Sequence, residues 1–199
     1  MRRMRAFLFA ITVGTVLAGC TTTSQFLKEK SQTLRTDVFS EIGGKEAIPK
    51  GYAALEIKAT IKTHTEGYYL LESKDSLHGK KGYPFVLNID GQAAVWKDDG
   101  EEEIAPPYHE KGGRDPEGGT GVRYRIHKKI RLAGGFHRVF FGLPGEEYYR
   151  EFDVALEEGK TYSLALEPIY KRGNVRHLRE SRFINGIEEY KKTLQEGSP

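Results

Sequence analysis

The chain contains one cysteine, Cys20, among 199 residues. No disulfide can form within a single copy, and cysteine-rich zinc sites are excluded. Long apolar runs are missing as well. The longest, Ala6 to Ala18, falls short of the roughly 20 residues a helix needs to cross the hydrocarbon core. Charge of one sign is not in excess either: Lys and Arg number 31, Asp and Glu 28, and the +3 balance matches Arg2, Arg3 and Arg5. Without those three arginines the remainder is formally neutral, which removes the global electrostatic case for nucleic acid. Neither G-x-S-x-G nor H-E-x-x-H occurs, and the glycines of 112–121 lead into no Lys-Ser/Thr. Nucleophile elbow, zincin helix and phosphate loop are therefore absent, and the abundant carboxylates single out no catalytic pair. The expectation is a protein that is not an enzyme.

What the N-terminus does contain is a patterned segment. Arg2, Arg3 and Arg5 precede the apolar run, and small residues follow it, as in a secretory signal of residues 1–19. Its last residues, Leu17-Ala18-Gly19-Cys20, resemble the lipobox of bacterial lipoproteins. That resemblance implies diacylglycerol on the Cys20 thiol, cleavage before Cys20 and acylation of the new amine. Such a protein is anchored to a membrane and does not cross it, because several acyl chains hold firmly where one binds marginally. Thr21 follows the cysteine where lipoprotein sorting commonly uses Asp for inner-membrane retention. The implied location is the outer membrane, facing the periplasm or the cell surface.

Residues 20–50 read as a lipidated tether and spacer, with Phe26, Leu27, Leu34 and Val38 loosely on one helical face. From Gly51 the period changes to two. Leu55, Ile57, Ala59 and Ile61 alternate with Glu56, Lys58, Thr60 and Lys62, which predicts a half-buried antiparallel strand. Further strands are expected at Tyr68–Leu71, Phe85–Ile89, Ala93–Lys97, Val122–Leu132, Phe136–Leu143, Tyr148–Leu156 and Thr161–Leu166. Asp90-Gly91 supplies a hairpin turn with φ > 0 at both positions, and Pro144-Gly145 suits a type II turn. The acidic, Gly- and Pro-rich stretch 98–121 reads as a mobile loop. Residues 171–199 read as a polar tail with a short helix after Asn185, marked by Ile187, Tyr190 and Leu194. The expected fold is all-β: one antiparallel β-sandwich over 51–170 with short flanking helical segments.

Three segments carry a resemblance: Phe85-Val86-Leu87-Asn88-Ile89-Asp90-Gly91, Leu132-Ala133-Gly134-Gly135-Phe136-His137-Arg138-Val139, and Phe152 to Tyr162 with its Gly159-Lys160-Thr161 turn. Their cadence resembles PEGA-type domains and, more broadly, lipid-anchored bacterial domains with transthyretin-like sandwiches. The resemblance spans Phe85 to Pro168 and rests on turn chemistry. It departs from the pattern in the 98–121 insertion, the long basic strand and the lack of a Pro-Glu-Gly-Ala motif. What it implies is a noncatalytic envelope module, an analogy at the level of fold.

The most unusual local pattern is Val122 to Leu132. Its odd positions, Arg123, Arg125, His127, Lys129 and Arg131, share one strand face and form a stripe about 27 Å long. It is a candidate docking surface for an anionic polymer or an acidic envelope protein. Alternatively, neighbouring acids balance it, with Glu151, Asp153 and Glu157 of Tyr148–Glu157 as the expected donors of negative charge. The six histidines are scattered and none has metal-ligand spacing, so neither metal nor cofactor is expected. A looser calcium loop at Asp98, Asp99 and Glu101 competes with a solvated turn, since the EF-hand register fails. Outward rings of Tyr68-Tyr69, Phe140-Phe141 and Tyr148-Tyr149 either stack on sugars or lie under loops and termini. Trp96 is expected in the core or under a loop.

The sequence thus predicts a lipid-anchored envelope protein acting as a noncatalytic binding or accessory module. The alternative is a structural subunit of a larger envelope complex, with a hydrolase or metal-dependent enzyme third.

Overall fold

Period-two patterning resolves into ten strands in the computed structural model, which describes residues 22–43, 46–173 and 181–197. Cys20 and the lipobox lie outside the described residues. The elements are α1 (Thr23–Lys30), β1 (Phe39–Glu41), β2 (Tyr52–Thr63), β3 (Tyr83–Ile89), β4 (Gln92–Asp98), β5 (Glu101–Ala105), β6 (Gly119–Ala133), β7 (Gly135–Leu143), β8 (Tyr148–Leu156), β9 (Thr161–Tyr170) and β10 (Ile187–Glu196). One sheet runs β1-β6-β2-β9-β10, with β5 added beside β6; the other runs β4-β3-β7-β8. The β2–β9 pair is parallel and the other described pairs are antiparallel. The fold is all-β. The two sheets share one core, in which Leu55, Ile57 and Ile61 of β2 and Tyr124, Ile126 and Ile130 of β6 meet Phe85 and Leu87 of β3 and Val139 and Phe141 of β7.

Alternation places these residues inward, because neighbours along a strand face opposite ways. Asp90 and Gly91 both adopt positive φ, 48° and 94°, and close the β3–β4 hairpin as predicted. Trp96 is buried, and its indole N–H donates to Glu41 Oε1 at 2.7 Å.

The spacer reading needs correction: residues 22–43 pack onto the body. An eight-residue helix is too short to persist alone. Here α1 buries Leu27 with Val86 and Phe140 on the outer face of the smaller sheet, while Phe26 packs on Phe140 and Tyr149 at 5.8 and 4.8 Å. The chain then follows the β3–β4 hairpin, where Leu34 N donates to Gly91 O, and ends as β1 on the edge of β6.

Four other expectations fail locally. Tyr68–Leu71 forms no strand; it lies in an irregular loop between β2 and β3. Pro144 to Glu146 forms a 3₁₀ turn, with the positive φ at Glu147 and not at Gly145. Residues 101–105 and 187–196 are strands, so neither the mobile loop nor the polar tail stands as drawn, and the sandwich extends to Glu196.

Candidate functional site

The stripe lies where alternation puts it, on the outer face of the larger sheet, but Arg123 and Arg125 are turned into ion pairs. β5 pairs with the first third of β6, with Glu101 opposite Arg123 and Glu103 opposite Gly121. Glu101 and Glu103 therefore stand beside Arg123 and Arg125 on that face. Arg123 is buried; Nε and Nη2 donate to Glu103 at 3.0 and 2.7 Å, and Nη2 lies 2.5 Å from Glu117 Oε2. Arg125 donates to Glu103 at 3.0 Å and to Glu101 at 3.3 Å. His127 Nε2 is 3.7 Å from Glu56, Lys129 stands opposite Glu56 in the ladder, and Arg131 donates to Ser40 Oγ with its guanidinium over the Tyr52 ring. The balancing acids are not Glu151, Asp153 and Glu157, which belong to β8 in the other sheet, where Glu151 pairs with Lys30 and Arg138.

Behind Arg123 the network is closed. The Lys62 ammonium is buried and donates to the carbonyls of Glu117 and Gly119, both at 2.7 Å, with Glu103 at 3.5 Å. Tyr170 donates to Glu117 Oε1 and accepts from Lys62 N. Burial lowers the Lys62 pKa, against the raising influence of Glu103. The hydrogen bond from Arg123 holds the Glu103 carboxyl down at about 2, despite partial burial. The unfolded chain then takes up that proton first, so this contribution is complete above about pH 4.5 and is lost as pH falls toward 2. Urea midpoints are expected to drop between pH 5 and pH 2.5, and Glu103→Gln should flatten that drop; an equal drop in the variant would refute the assignment.

Arg125, His127 and Lys58, with Glu117 and Glu167, line an open groove of 540 Å³ on this face. The looser calcium loop does not gather. Asp98 Oδ2 accepts from the N–H groups of Gly100 and Arg125, and Glu101 is held by Arg125.

At the end of β2, past Thr63, the loop of residues 65–82 folds back on the strand. Gly79 makes this possible: its φ is +71°, its N–H donates to Thr63 Oγ1, and a Cβ there would sit 2.1 Å from Glu66 N. The return brings His78 to His64. His78 Nδ1 lies 2.8 Å from His64 Nε2, and Glu72 Oε1 is 3.7 and 3.5 Å from these two nitrogens. His64 Nδ1 contacts Thr65 O at 3.0 Å. His78 Nε2 contacts Glu146 Oε1 at 2.8 Å, and that oxygen also accepts from Tyr83. Ser76 Oγ donates to Glu72 Oε1. Burial lowers the His78 pKa, but the bond to Glu146 and the charges of Glu146 and Glu72 outweigh it and raise the pKa overall. The rings of Tyr68 and Tyr69 flank His64, and a cleft of 560 Å³ opens beside the cluster toward Pro144 and Ile184. Sequence reasoning missed this group because His64, Glu72 and His78 follow no ligand spacing; the one local signal is the His78-Gly79 step that turns the loop.

The same loop presents Leu70 and Leu71, 100% and 94% exposed, next to the half-exposed Tyr68 and Tyr69. The helix α1 points to this end. Its Lys30 sits level with Asn88 and Glu151, whereas Phe26 and Leu27, one turn earlier, sit level with Gly142 and Tyr149. The N-terminus of α1 is thus directed toward the Pro144–Glu146 turn, which Glu146 joins to His78. No protein-family model matches the chain, and a comparison with curated proteins finds no match.

Proposed function

We propose that the chain is a lipid-anchored protein of the bacterial outer membrane whose sandwich serves as a noncatalytic accessory module seated against the bilayer. One observation carries this reading: the direction in which α1 points. Cys20 is two residues from Thr22, the N-cap of α1, a reach of about 7 Å. Acyl chains on Cys20 would enter the membrane beside the end of the sandwich that exposes Tyr68, Tyr69, Leu70 and Leu71. Tyrosines flanking exposed leucines suit the boundary between headgroups and acyl chains.

Two measurements test it. Cys20→Ala should move the protein from the carbonate-washed membrane fraction to the soluble fraction, while the wild type stays behind. In the acylated protein, Leu71→Cys provides the free thiol for a polarity-sensitive fluorophore. A blue-shifted emission in lipid vesicles relative to the unanchored form is expected; identical emission in both would defeat the seating, and membrane retention of Cys20→Ala would defeat the anchor.

The ion pairing of Arg123 and Arg125 favours a second reading, the structural subunit of an envelope complex. Of the groove's basic side chains, Lys58 and His127 lie beside Glu56, Arg125 is held by Glu101 and Glu103, and Arg123 by Glu117, so a polymer of one sign would meet a carboxylate beside each of them. A protein surface of mixed charge fits that face better than an anionic polymer.

A further inference from the structure

We infer that His64, Glu72 and His78 form a binding site for one divalent transition-metal ion of the zinc class, a site independent of whether the chain is acylated. The argument begins with protons. Thr65 O can only accept a hydrogen bond, so His64 Nδ1 carries the proton that faces it and Nε2 presents a lone pair. The Glu146 carboxylate oxygen that already accepts from Tyr83 likewise places the His78 proton on Nε2 and leaves a lone pair on Nδ1. Two lone pairs then face each other at 2.8 Å, an arrangement that holds only with a cation between them. That cation is either a shared proton or a metal ion.

The surroundings favour the metal. Glu72 Oε1 completes a triangle with edges of 2.8, 3.5 and 3.7 Å. Donors at 2.0–2.1 Å from a tetrahedral ion are separated by about 3.3 Å, a value these edges bracket. Each imidazole is braced from behind by an acceptor, carboxylate for His78 and carbonyl for His64, the outer-shell pattern that orients metal-bound histidines. Glu72 is braced by Ser76. Two imidazoles and one carboxylate suit zinc better than calcium or magnesium, which prefer all-oxygen shells. Three protein donors leave a fourth position, and the 560 Å³ cleft gives it access. The ligands also tie the 65–82 loop, which has no strand or helix of its own, to the end of β2. In a chain without an intrachain disulfide, a metal is the other available staple.

The test uses the full-length, tag-free protein in detergent micelles, stripped with chelator and titrated with zinc chloride. One equivalent is expected to bind and survive gel filtration. X-ray absorption at the zinc edge should show two imidazole nitrogens at about 2.0–2.1 Å. His78→Gln should weaken binding by at least about 100-fold, Glu146→Gln by about 10-fold and His109→Gln not at all, the outer-shell effect being the smaller. Zinc should raise the melting temperature of the wild type and not of His78→Gln. No bound equivalent in folded wild-type protein, or a zinc shell without imidazole, would overturn the inference and leave a proton-bridged histidine pair. The absorption measurement decides the matter even if a variant fails to fold.

Discussion

Arg123→Ala is expected to cost about 3–5 kcal/mol of folding stability, the loss seen when one partner of a buried ion pair is removed. The size follows from what remains. Glu117 would be left on a largely covered surface without its guanidinium, while Glu103 would keep Arg125 at 3.0 Å and Lys62 at 3.5 Å. Lys62 already spends its donors on two carbonyls, so it cannot replace a guanidinium that reaches both carboxylates. Tyr170 would also lose the fixed position of Glu117, its acceptor. Arg131→Ala, at the other end of the same stripe, is expected to cost less than about 1 kcal/mol, because its contacts are an exposed hydroxyl and the half-exposed Tyr52 ring. Urea unfolding of both variants against the wild type measures the contrast. Equal and small losses would mean the arginines are interchangeable surface charges, available for docking. Adding Glu117→Gln to Arg123→Ala should recover part of the loss, since the carboxylate that lost its guanidinium is then gone.

That contrast also shows how far the sequence could be read. Parity placed Arg123 through Arg131 on one outer face, because alternation in β6 is unbroken, and the Asp90-Gly91 hairpin followed from turn chemistry alone. The partners were not legible. β5 reads Glu101-Glu102-Glu103-Ile104-Ala105, a sequence of low strand propensity that pairs because the cations of β6 lie alongside it. Tertiary charge made this strand, and no local signal carries that. The histidine cluster was hidden for a related reason: its geometry depends on a loop closing over Gly79, where contact order, not spacing, brings His64 and His78 together. Helical periodicity over Gln25–Phe39 was real only to Lys30, beyond which the chain is held by backbone bonds to the β3–β4 hairpin.

The C-terminal strand was misread for a reason that can be named, and it yields the second large prediction. Ile187, Tyr190 and Leu194 are spaced by three and four, the signature of a helix face. In β10 a bulge accommodates an extra residue between Ile187 and Glu189, so Ile187 and Tyr190 share the inward face despite their odd separation. Tyr190 is fully buried. Its ring packs at 5.1 Å on Phe141 of the opposite sheet and 5.4 Å from Tyr148, its hydroxyl donates to Thr60 O at 2.8 Å, and its carbonyl accepts from Arg150. Tyr190→Ala is therefore expected to cost about 3–5 kcal/mol, as for large aromatic truncations in a core. Tyr190→Phe should cost about 1 kcal/mol, for the bond to Thr60 alone. A tail helix lying outside the sandwich would give changes within about 0.5 kcal/mol for both. Urea midpoints with an unchanged m-value decide between them, because only a strand packed between the sheets makes β10 part of the same cooperative unit as β2 and β7.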